Sequence, residues 1–465
     1  MADRLIDFLG EYRDRMIPFH MPGHKRKQND YLSVLGGAYD ITELPDSDDL
    51  HAPEGILLRS MEYAQNVFGG KEFLWMTDGS TCGILAAVYA VCPRGSTVIV
   101  ARNCHLSVYN ALELCDLKPV FVQPAADEIH GFCSSVPPEE AEQAFARHPD
   151  ACALILTSPT YEGVVSDLRS LGEISRRYGA AMVVDAAHGA HFGFHRAFPD
   201  SAAALGADIV IMSLHKTLPA LTGGAAAIIN NDQFSKPFHR ALDIFETSSP
   251  SYPVMASCDA CAHLLHDRGE ALFEAYWNNL TQLRHDVRDL KTIRLLRQED
   301  IADAFDFDPG KLLIQSDSFT GRELYEKLRS RGIEPEMAGF HHVLAMTSVL
   351  DEAKDFRALA GALRELDSLE GPQRQTPRIP MPLPKVVCSA YTASHGARRA
   401  IPIAEAEGAV CGEYVYAYPP GVPALIPGER IPAGFCDYYH ASGNAQIRLR
   451  FSETGDNNRI SVCEA

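Results

Sequence analysis

The chain has 465 residues, of which 46% are hydrophobic and 22% are charged, and its formal net charge is -19. This composition is that of a globular protein, and the acidic excess argues against a nucleic-acid partner, whose phosphates would be repelled. No apolar run is long enough for a transmembrane helix, and the N-terminus lacks a secretory apolar segment. Twelve cysteines are too few for a disulfide scaffold at this length, so we expect a cytoplasmic protein without membrane partners.

An alternating pattern of strands and helices dominates the first part of the chain. Residues 1–50 are predicted to form an arm and linker, and residues 51–285 a large domain. The strands predicted in that domain are 73–76, 97–100, 119–122, 153–156, 182–184 and 207–212, with 225–229 as an added edge strand. Short apolar runs separated by helical patterns predict a mostly parallel sheet that is covered on both faces.

Two smaller units are predicted beyond the sheet. Residues 286–370 form a small α+β domain, with a strand over 311–314 and a helix over 321–331. Residues 371–465 form a C-terminal region, which opens with a Pro- and Gln-rich linker and contains loops punctuated by proline. The expectation is therefore an α/β fold with smaller α+β units at its C-terminal end.

The tetrapeptide Ser213-Leu214-His215-Lys216 is the strongest chemical signal in the chain. It follows an apolar run, so Lys216 lies at the end of a buried strand, where desolvation lowers the pKa of its amine and makes it a nucleophile. An earlier apolar run ends in Asp185. Pyridoxal phosphate requires an acid that keeps its pyridine nitrogen protonated and a lysine that forms a Schiff base. The pair therefore predicts this cofactor.

A phosphate site is predicted from residues at two strand ends. Gly79, Ser80 and Thr81 lie between a strand and a helix, where hydroxyls and backbone N–H groups bind a phosphate. The same residue types also form ordinary helix caps, which is the alternative interpretation. Ser213 and His215 are predicted to donate to the same phosphate.

Three histidines follow strands in the same region. His105 is predicted to lie against the cofactor ring and to act as an acid or base, and His188 to support Asp185 or the phenolate oxygen. The spacing Asp185-x-x-His188-x-x-His191 is also compatible with a metal site. Because a lysine and a phosphate cradle already account for these residues, we predict no metal.

Ordered sequence blocks along nearly the whole chain resemble the ornithine/lysine/arginine decarboxylase family of pyridoxal phosphate enzymes. The resemblance is strongest to its short, Gram-positive-type members. The blocks that carry it are 19–25, 40–44, 48–55, 78–81, 102–105, 158–161, 184–192, 213–218, 247–252 and 418–423.

The resemblance implies an aspartate-aminotransferase-like fold and decarboxylation of arginine, lysine or ornithine to an amine that feeds polyamine metabolism. It also implies a homodimer, or a tetramer, with active sites shared between subunits. Ser248 would reach the phosphate in the partner's site, while Thr160, Glu43 and Asp46 would contact the substrate. The acidic run that contains Glu43 and Asp46 is equally typical of a solvated loop or helix cap.

Four positions depart from the usual family pattern. Leu106 stands where the family usually has Lys, Ala186 where it has Glu, Leu214 where it has Thr and Gly223 where it has Gln. These departures leave two alternatives open. One is another pyridoxal phosphate reaction, transamination or elimination, for which Arg398 and Arg399 are candidate clamps of the substrate's carboxylate. The other is a non-catalytic paralogue that regulates an active decarboxylase, although such a protein has no need of Lys216.

Overall fold

The computed structural model describes residues 17–19, 48–369, 383–418, 421–444, 447–455 and 458–464. Most of the predicted N-terminal arm lies outside the described residues, and so do the candidate substrate residues Glu43 and Asp46. Among the helices of these six ranges, none combines the length and the apolar character that spanning a bilayer requires.

A seven-stranded sheet forms the centre of the large domain in the described part of the chain. Its strands alternate with helices along the chain, and their spatial order is β1-β7-β6-β5-β4-β2-β3. Every neighbouring pair is parallel except those made by β7. The strands are β1 (Glu72–Met76), β2 (Thr97–Ala101), β3 (Lys118–Val122), β4 (Ala153–Thr157), β5 (Ala181–Asp185), β6 (Ile209–Ser213) and β7 (Ala225–Ile229). The predicted mostly parallel sheet is therefore confirmed.

The prediction that β7 is an edge strand is wrong. This strand pairs antiparallel with β6 on one side and with β1 on the other, and all five of its residues are buried. The chain reverses directly after β6, which allows β7 to lie beside it, and β1 then takes the outer position. A short run of small apolar residues does not by itself distinguish an edge from an interior strand, because pairing with β1 is decided by distant residues.

Helices cover both faces of this sheet and connect it to the rest of the chain. They are α1 (Ile56–Phe68), α2 (Gly79–Val91), α3 (Leu106–Leu114), α4 (Pro138–Arg147), α5 (Leu168–Arg177), α6 (Leu214–Thr217), α7 (Ser235–Phe245) and α8 (Tyr252–Asp286). Local signals set several starts: the Asp167 carboxylate, for example, accepts a hydrogen bond from Ser170 N–H at the beginning of α5. The 35-residue α8 then leads out of the sheet domain.

An antiparallel sheet of four strands follows α8. Its strands are β8 (Ile293–Leu295), β9 (Lys311–Ser316), β10 (Met337–Ala338) and β11 (His342–Met346), in the spatial order β8-β9-β11-β10. Two helices accompany it, α9 (Gly321–Arg329) and α10 (Ala353–Asp367), and both begin with capping boxes. Leu312 and Ile314 of β9 belong to the same apolar cluster as the large sheet, so this unit is packed firmly against the first.

The C-terminal region has an apolar cluster of its own. Its elements are α11 (Ala390–His395), β12 (Arg398–Pro402), β13 (Val415–Ala417), β14 (Pro423–Leu425), α12 (Phe435–Asn444), β15 (Leu449–Phe451) and β16 (Arg459–Cys463). The strands pair as β14-β13-β15 and as β12-β16, and Val415, Leu425 and Phe435 lie in the cluster between them. The limits predicted for the three domains, at 285 and 370, stay predictions.

Two-residue strand pairs complete the described structure. They tie loops together at Ile17–Pro18 with Ile333–Glu334, Ala126–Asp127 with Phe132–Cys133, Val164–Val165 with Asp306–Phe307, and Lys385–Val386 with Glu429–Arg430. Three single turns of 3-10 helix also occur, at Asp232–Phe234, Gln298–Asp300 and Ile403–Glu405.

A buried ion pair joins the C-terminal region to the large sheet. The Arg102 Nη2 atom, just after β2, lies 3.1 Å from Glu429 Oε2, and both side chains are at most 3% exposed. The same guanidinium donates to the carbonyl oxygens of Pro423, at 2.8 Å, and Ala424, at 3.2 Å. Because a buried charge without its partner is costly, this pair makes docking of the C-terminal region dependent on both residues.

Replacing Glu429 with alanine should strongly destabilise the protein. The Arg102 charge would stay buried without compensation, which costs about 3–5 kcal/mol in such pairs. Urea unfolding followed by circular dichroism measures the effect. The control is Glu365→Ala, which removes an exposed carboxylate that pairs with Arg331 and should leave the midpoint unchanged. Equal midpoints for the two variants would contradict the role given to the buried pair.

Candidate functional site

The carboxyl ends of β2, β4, β5 and β6 meet at one edge of the large sheet. Parallel neighbours necessarily deliver their ends to the same edge, and loops there hold ligands in open α/β sheets. Four of the predicted positions follow these strands directly or end them: His105, Thr160, Asp185 and Ser213. The candidate site therefore lies at this edge.

The predicted phosphate turn opens helix α2. Gly79 has a φ of +76°, a backbone conformation that residues with side chains disfavour. It is the first residue of the helix, and Ser80 and Thr81 are the next two. The Ser213 hydroxyl donates a hydrogen bond of 2.7 Å to the Ser80 hydroxyl. The two hydroxyls predicted to bind one phosphate are thus adjacent, beside the N-terminus of a helix 13 residues long.

Glu246, which the sequence analysis missed, anchors this turn. Its Oε1 atom accepts hydrogen bonds from Thr77 N–H at 2.7 Å, from the Thr77 hydroxyl at 2.8 Å and from Asp78 N–H at 3.1 Å. In return, the Asp78 carboxylate accepts from Thr247 N–H at 2.8 Å. The neighbouring Ser248 is exposed within this chain, and its role toward a partner's site stays a prediction.

Gly223 packs directly against the same turn. It has a φ of +97°, and a Cβ atom added to it would lie 2.9 Å from the carbonyl oxygen of Thr77. The position thus favours glycine for two independent steric reasons. The glycine at position 223, where the family pattern differs, is therefore the residue that the backbone conformation of this loop favours.

His105 is the N-cap residue of helix α3. Its Nδ1 atom accepts a hydrogen bond from Ser107 N–H at 3.2 Å, so in the neutral ring the proton resides on Nε2. Burial lowers the pKa of His105, which favours this neutral form. A Cβ on Gly421 would lie 3.1 Å from ring atoms Cδ2 and Nε2, so the C-terminal region reaches the ring through a residue without a side chain.

Asp185, His188 and Lys216 lie in one neighbourhood at this edge of the sheet, where the side chain of His188 contacts Lys216 rather than Asp185. Asp185 is 3% exposed at the end of β5, and its Oδ1 accepts a hydrogen bond of 3.1 Å from Ala187 N–H. Lys216 Nζ lies 3.1 Å from His188 Nε2. Burial lowers the pKa of Lys216, and the negative charge of Asp185 opposes that shift. The same carboxylate acts on His105, so the three predicted ring and amine partners share one electrostatic environment.

Two further predicted residues have defined partners in this structure. His215 Nδ1 donates to the Gly224 carbonyl at 3.0 Å, so donation from Nε2 to a phosphate requires the doubly protonated ring. The Thr160 hydroxyl accepts from Val164 N–H at 3.1 Å and thereby closes the loop after β4. Its predicted contact with substrate stays a prediction.

Four side chains near Lys216 escaped the sequence analysis. The ring centroid of Tyr161 lies 4.5 Å from that of His188, and its hydroxyl donates to Glu336. Lys311 Nζ lies 2.8 Å from His188 Nδ1, opposite Lys216, and Glu162 acts on it electrostatically. Lys311 and Glu336 belong to the second unit, more than 90 residues after Lys216. No local pattern distinguishes Lys311 from any lysine that begins a strand, so only the packing of the two units reveals it.

His191 is turned away from this group. Its Nε2 atom lies 3.2 Å from Asp308 Oδ2, and both side chains are at most 4% exposed. Across the ranges that the structure covers, no three His, Cys, Asp or Glu side chains are arranged to hold a metal ion. The evenly spaced His188 and His191 therefore make two different contacts, His188 with Lys216 and His191 with Asp308.

The remaining departures from the family pattern lie around the site. Leu214 is fully buried, and Leu106 N–H donates to the Gly421 carbonyl at 2.9 Å. Ala186 lines a small, partly open cavity of about 10 Å³ together with Asp200. A space of this size holds about one water molecule. The small side chain at 186 therefore leaves a gap behind the loop that follows β5.

Comparison with protein families identifies the class of protein. The profile described as "Orn/Lys/Arg decarboxylase, major domain" matches residues 5–354, and that of the family's C-terminal domain matches residues 378–449. The chain belongs to the Orn/Lys/Arg decarboxylase family. It is therefore a pyridoxal phosphate-dependent decarboxylase of the family that takes its name from three basic amino acids.

Several curated bacterial proteins are similar over nearly their full length. The chain is 30% identical over 462 residues to an arginine decarboxylase of Bacillus subtilis (strain 168), covering 96% of this chain and 94% of that protein. It is 29% identical over 453 residues to an arginine decarboxylase of Bacillus anthracis, with coverage of 94% and 92%. It is also 34% identical over 437 residues to YaaO of Bacillus subtilis (strain 168), an uncharacterized protein, with coverage of 89% and 88%.

Solved structures confirm the predicted aspartate-aminotransferase-like fold. The lysine decarboxylase LdcF of Francisella novicida superposes with a TM-score of 0.80 at 16% identity, covering 98% of this chain and 83% of that one. The alanine–glyoxylate aminotransferase of Nostoc sp. superposes with a TM-score of 0.55 at 13% identity, covering 66% and 86%. At these identities the likeness concerns the fold alone.

The residues at the sheet edge fit pyridoxal phosphate. The cofactor needs an amine, an acid for its ring nitrogen and donors for its phosphate. Lys216 is a buried amine with a lowered pKa, and Asp185 is a buried carboxylate with a single backbone donor on Oδ1. Ser80 and Ser213 lie at a helix N-terminus. Each type of group that the cofactor needs is therefore present among the described residues.

Replacing Glu246 with alanine should weaken cofactor binding. Without its carboxylate, Thr77 and Asp78 lose three hydrogen bonds that hold the phosphate turn, so we expect the cofactor Kd to rise about tenfold or more. Titration of the purified protein with pyridoxal phosphate, followed by absorbance, measures this change. The control is Glu274→Ala, an exposed acid on α8. An unchanged Kd in the Glu246 variant would refute the anchoring role.

Proposed function

We propose that the protein decarboxylates arginine, with lysine and ornithine as the competing substrates, and that its product feeds polyamine synthesis. The observation that supports this most directly is the pairing of Lys216 with Asp185 at adjacent ends of β6 and β5. The preference for arginine rests on three arginine decarboxylases that are similar over more than nine-tenths of this chain. Cytoplasmic location is part of the same proposal.

The side chains divide the chemistry among them. When bound, pyridoxal phosphate accepts the electron pair that remains on Cα after carbon dioxide leaves. Lys216 attaches the cofactor through its amine, and Asp185 holds a proton on the ring nitrogen. Gly79, Ser80, Thr81 and Ser213 bind the phosphate, and His215 joins them when its ring is doubly protonated. His105 or Lys216 then returns a proton to Cα from its protonated form, which the lowered pKa of each makes a stronger acid.

The charges around the site suit a cationic substrate. Glu336 and Glu162 act electrostatically on Lys311, and Glu336 also acts on Lys216. Burial raises the pKa of Glu162. The side chain of arginine, lysine or ornithine carries a positive charge in addition to that of the α-amino group. Ionised carboxylates near the site stabilise this side-chain charge when neighbouring lysines do not neutralise them fully.

The function is tested by supplying each basic amino acid, labelled in its carboxyl group, to the cofactor-loaded protein. We expect labelled carbon dioxide and the matching amine from arginine at the highest kcat/KM. Lys216→Ala should reduce both products to the detection limit because no other described lysine amine contacts His188 Nε2. The control Lys354→Ala, an exposed position on α10, should keep full activity.

The alternatives give different results in that experiment. A keto acid instead of an amine would replace the proposal with transamination. Wild-type protein that retains the cofactor but releases no carbon dioxide from any of the three amino acids would favour a regulatory paralogue.

We further propose a homodimer in which Ser248 of one subunit contacts the phosphate in the other's site. The exposure of Ser248 in the single chain, two residues from the Glu246 anchor, supports this. A dimer of this kind is symmetric, so each subunit supplies the other.

Mixing two inactive variants tests the shared site. Lys216→Ala and Ser248→Glu should each be inactive alone, the second because its carboxylate repels the phosphate. The two variants are mixed, dissociated and allowed to reassemble at random, so that half of all dimers are mixed. Each mixed dimer has one site that contains neither substitution, so roughly a quarter of wild-type activity should return. Sedimentation of each variant checks that dimers form. No recovery in verified mixed dimers would contradict the contribution of Ser248 across the interface.

A further inference from the structure

His188 lies between two lysine amines. Its Nε2 atom is 3.1 Å from Lys216 Nζ, and its Nδ1 atom is 2.8 Å from Lys311 Nζ. The ring is 4% exposed, and Lys311 is 1% exposed and among the largest fully buried side chains of the described chain. Tyr161 covers both, because its ring lies 4.5 Å from the imidazole centroid and 5.6 Å from Lys311 Nζ.

Hydrogen-bond chemistry limits the charge that this array can hold. An ammonium group has three donors and no acceptor, whereas a neutral imidazole has one donor and one acceptor. If both lysines were ammonium ions, the imidazole N–H would face one of them with no acceptor. Burial and the two lysines lower the pKa of His188 well below its usual value, so the ring itself stays neutral. The two lysines therefore hold at most one excess proton between them.

We propose that Lys311 is a positioning residue that supplies Lys216 with a proton through His188. This inference rests on the proposed role of Lys216 as the amine that attaches the cofactor and serves Cα. In the transfer, the Lys311 Nζ–H bond breaks as an N–H bond forms at His188 Nδ1. At the same time the His188 Nε2–H bond breaks as an N–H bond forms at Lys216 Nζ. The positive charge moves from Lys311 to Lys216, and His188 ends neutral as the other tautomer.

The surroundings of Lys311 suit a proton store. Asp308, Glu336, Glu162 and Lys216 all act on it electrostatically, the three acids favouring its charged form and Lys216 opposing it. Burial is the largest influence and lowers the pKa of Lys311 to about 7. Its amine is therefore mostly protonated below pH 7 and mostly neutral above it. Lys311 therefore loses the proton that it could supply as the pH rises through this value.

Two substitutions separate proton supply from packing. Lys311→Met keeps the length of the side chain but removes the proton, whereas Lys311→Arg keeps the charge but holds its proton at every accessible pH. We expect kcat to fall about 10²-fold below pH 7 in both variants. We also expect the wild-type decline of kcat near pH 7 to disappear from both profiles. Lys354→Met, an exposed lysine on α10, is the matched control and should retain the wild-type profile.

A second readout needs no turnover. The absorbance of the bound cofactor, titrated with pH in the absence of substrate, reports protonation next to Lys216. Below pH 7 the Lys311 cation opposes that protonation, so its loss in Lys311→Met should raise the midpoint by about half a pH unit or more. The permanent charge of Lys311→Arg should lower it. Thermal unfolding checks that each variant is folded. If Lys311→Met does not fold, Lys311→Arg alone is sufficient to test the relay.

Three outcomes would overturn the relay. The first is an arginine variant that retains the wild-type kcat and pH profile. The second is a loss of kcat by the same factor at every pH, which indicates packing only. The third is a cofactor midpoint that moves in neither variant. If instead wild-type protein itself neither binds the cofactor nor releases carbon dioxide, the proposed function fails before the relay is tested.

Discussion

The parallel arrangement of β2, β4, β5 and β6 is the constraint on which the site depends. Parallel strands can only end at a common edge, so residues that are far apart in sequence are delivered to one place. His105, Asp185 and Ser213 end or follow three of these strands, and Lys216 lies one helical turn beyond Ser213. No side chain has to reach far, which keeps the geometry rigid.

Burial of several ionisable groups at this edge gives the site its chemistry. Lys216, His188, His105 and Lys311 all have pKa values lowered by desolvation, which favours their neutral forms. Asp185, Glu336 and other carboxylates limit these shifts. The acid and base groups needed for decarboxylation therefore arise from the low local dielectric together with a small number of fixed charges.

The C-terminal region completes one wall of the site. The Arg102–Glu429 ion pair and the carbonyls of Pro423 and Ala424 fix the segment that contains Gly421. Gly421 in turn accepts a hydrogen bond from Leu106 N–H and lies against the His105 ring. Since Arg102 and His105 belong to one loop, the same short stretch of sequence both docks this region and presents the catalytic candidate.

The amino-acid sequence alone determined the alternation of strands and helices, the family and the residues at the ends of the strands. These features follow from local apolar periodicity and from short motifs such as Asp78-Gly79-Ser80-Thr81 and Ser213-Leu214-His215-Lys216. The interior position of β7 was decided by its pairing with β1, whose partner residues lie 149 to 157 positions earlier in the chain. Lys311 and Glu336 entered the site only through packing between units, and Glu246 through packing between distant segments of the large domain. Their sequence surroundings are those of any surface acid or strand-initial lysine, because contacts between distant segments leave no periodic signal in the chain.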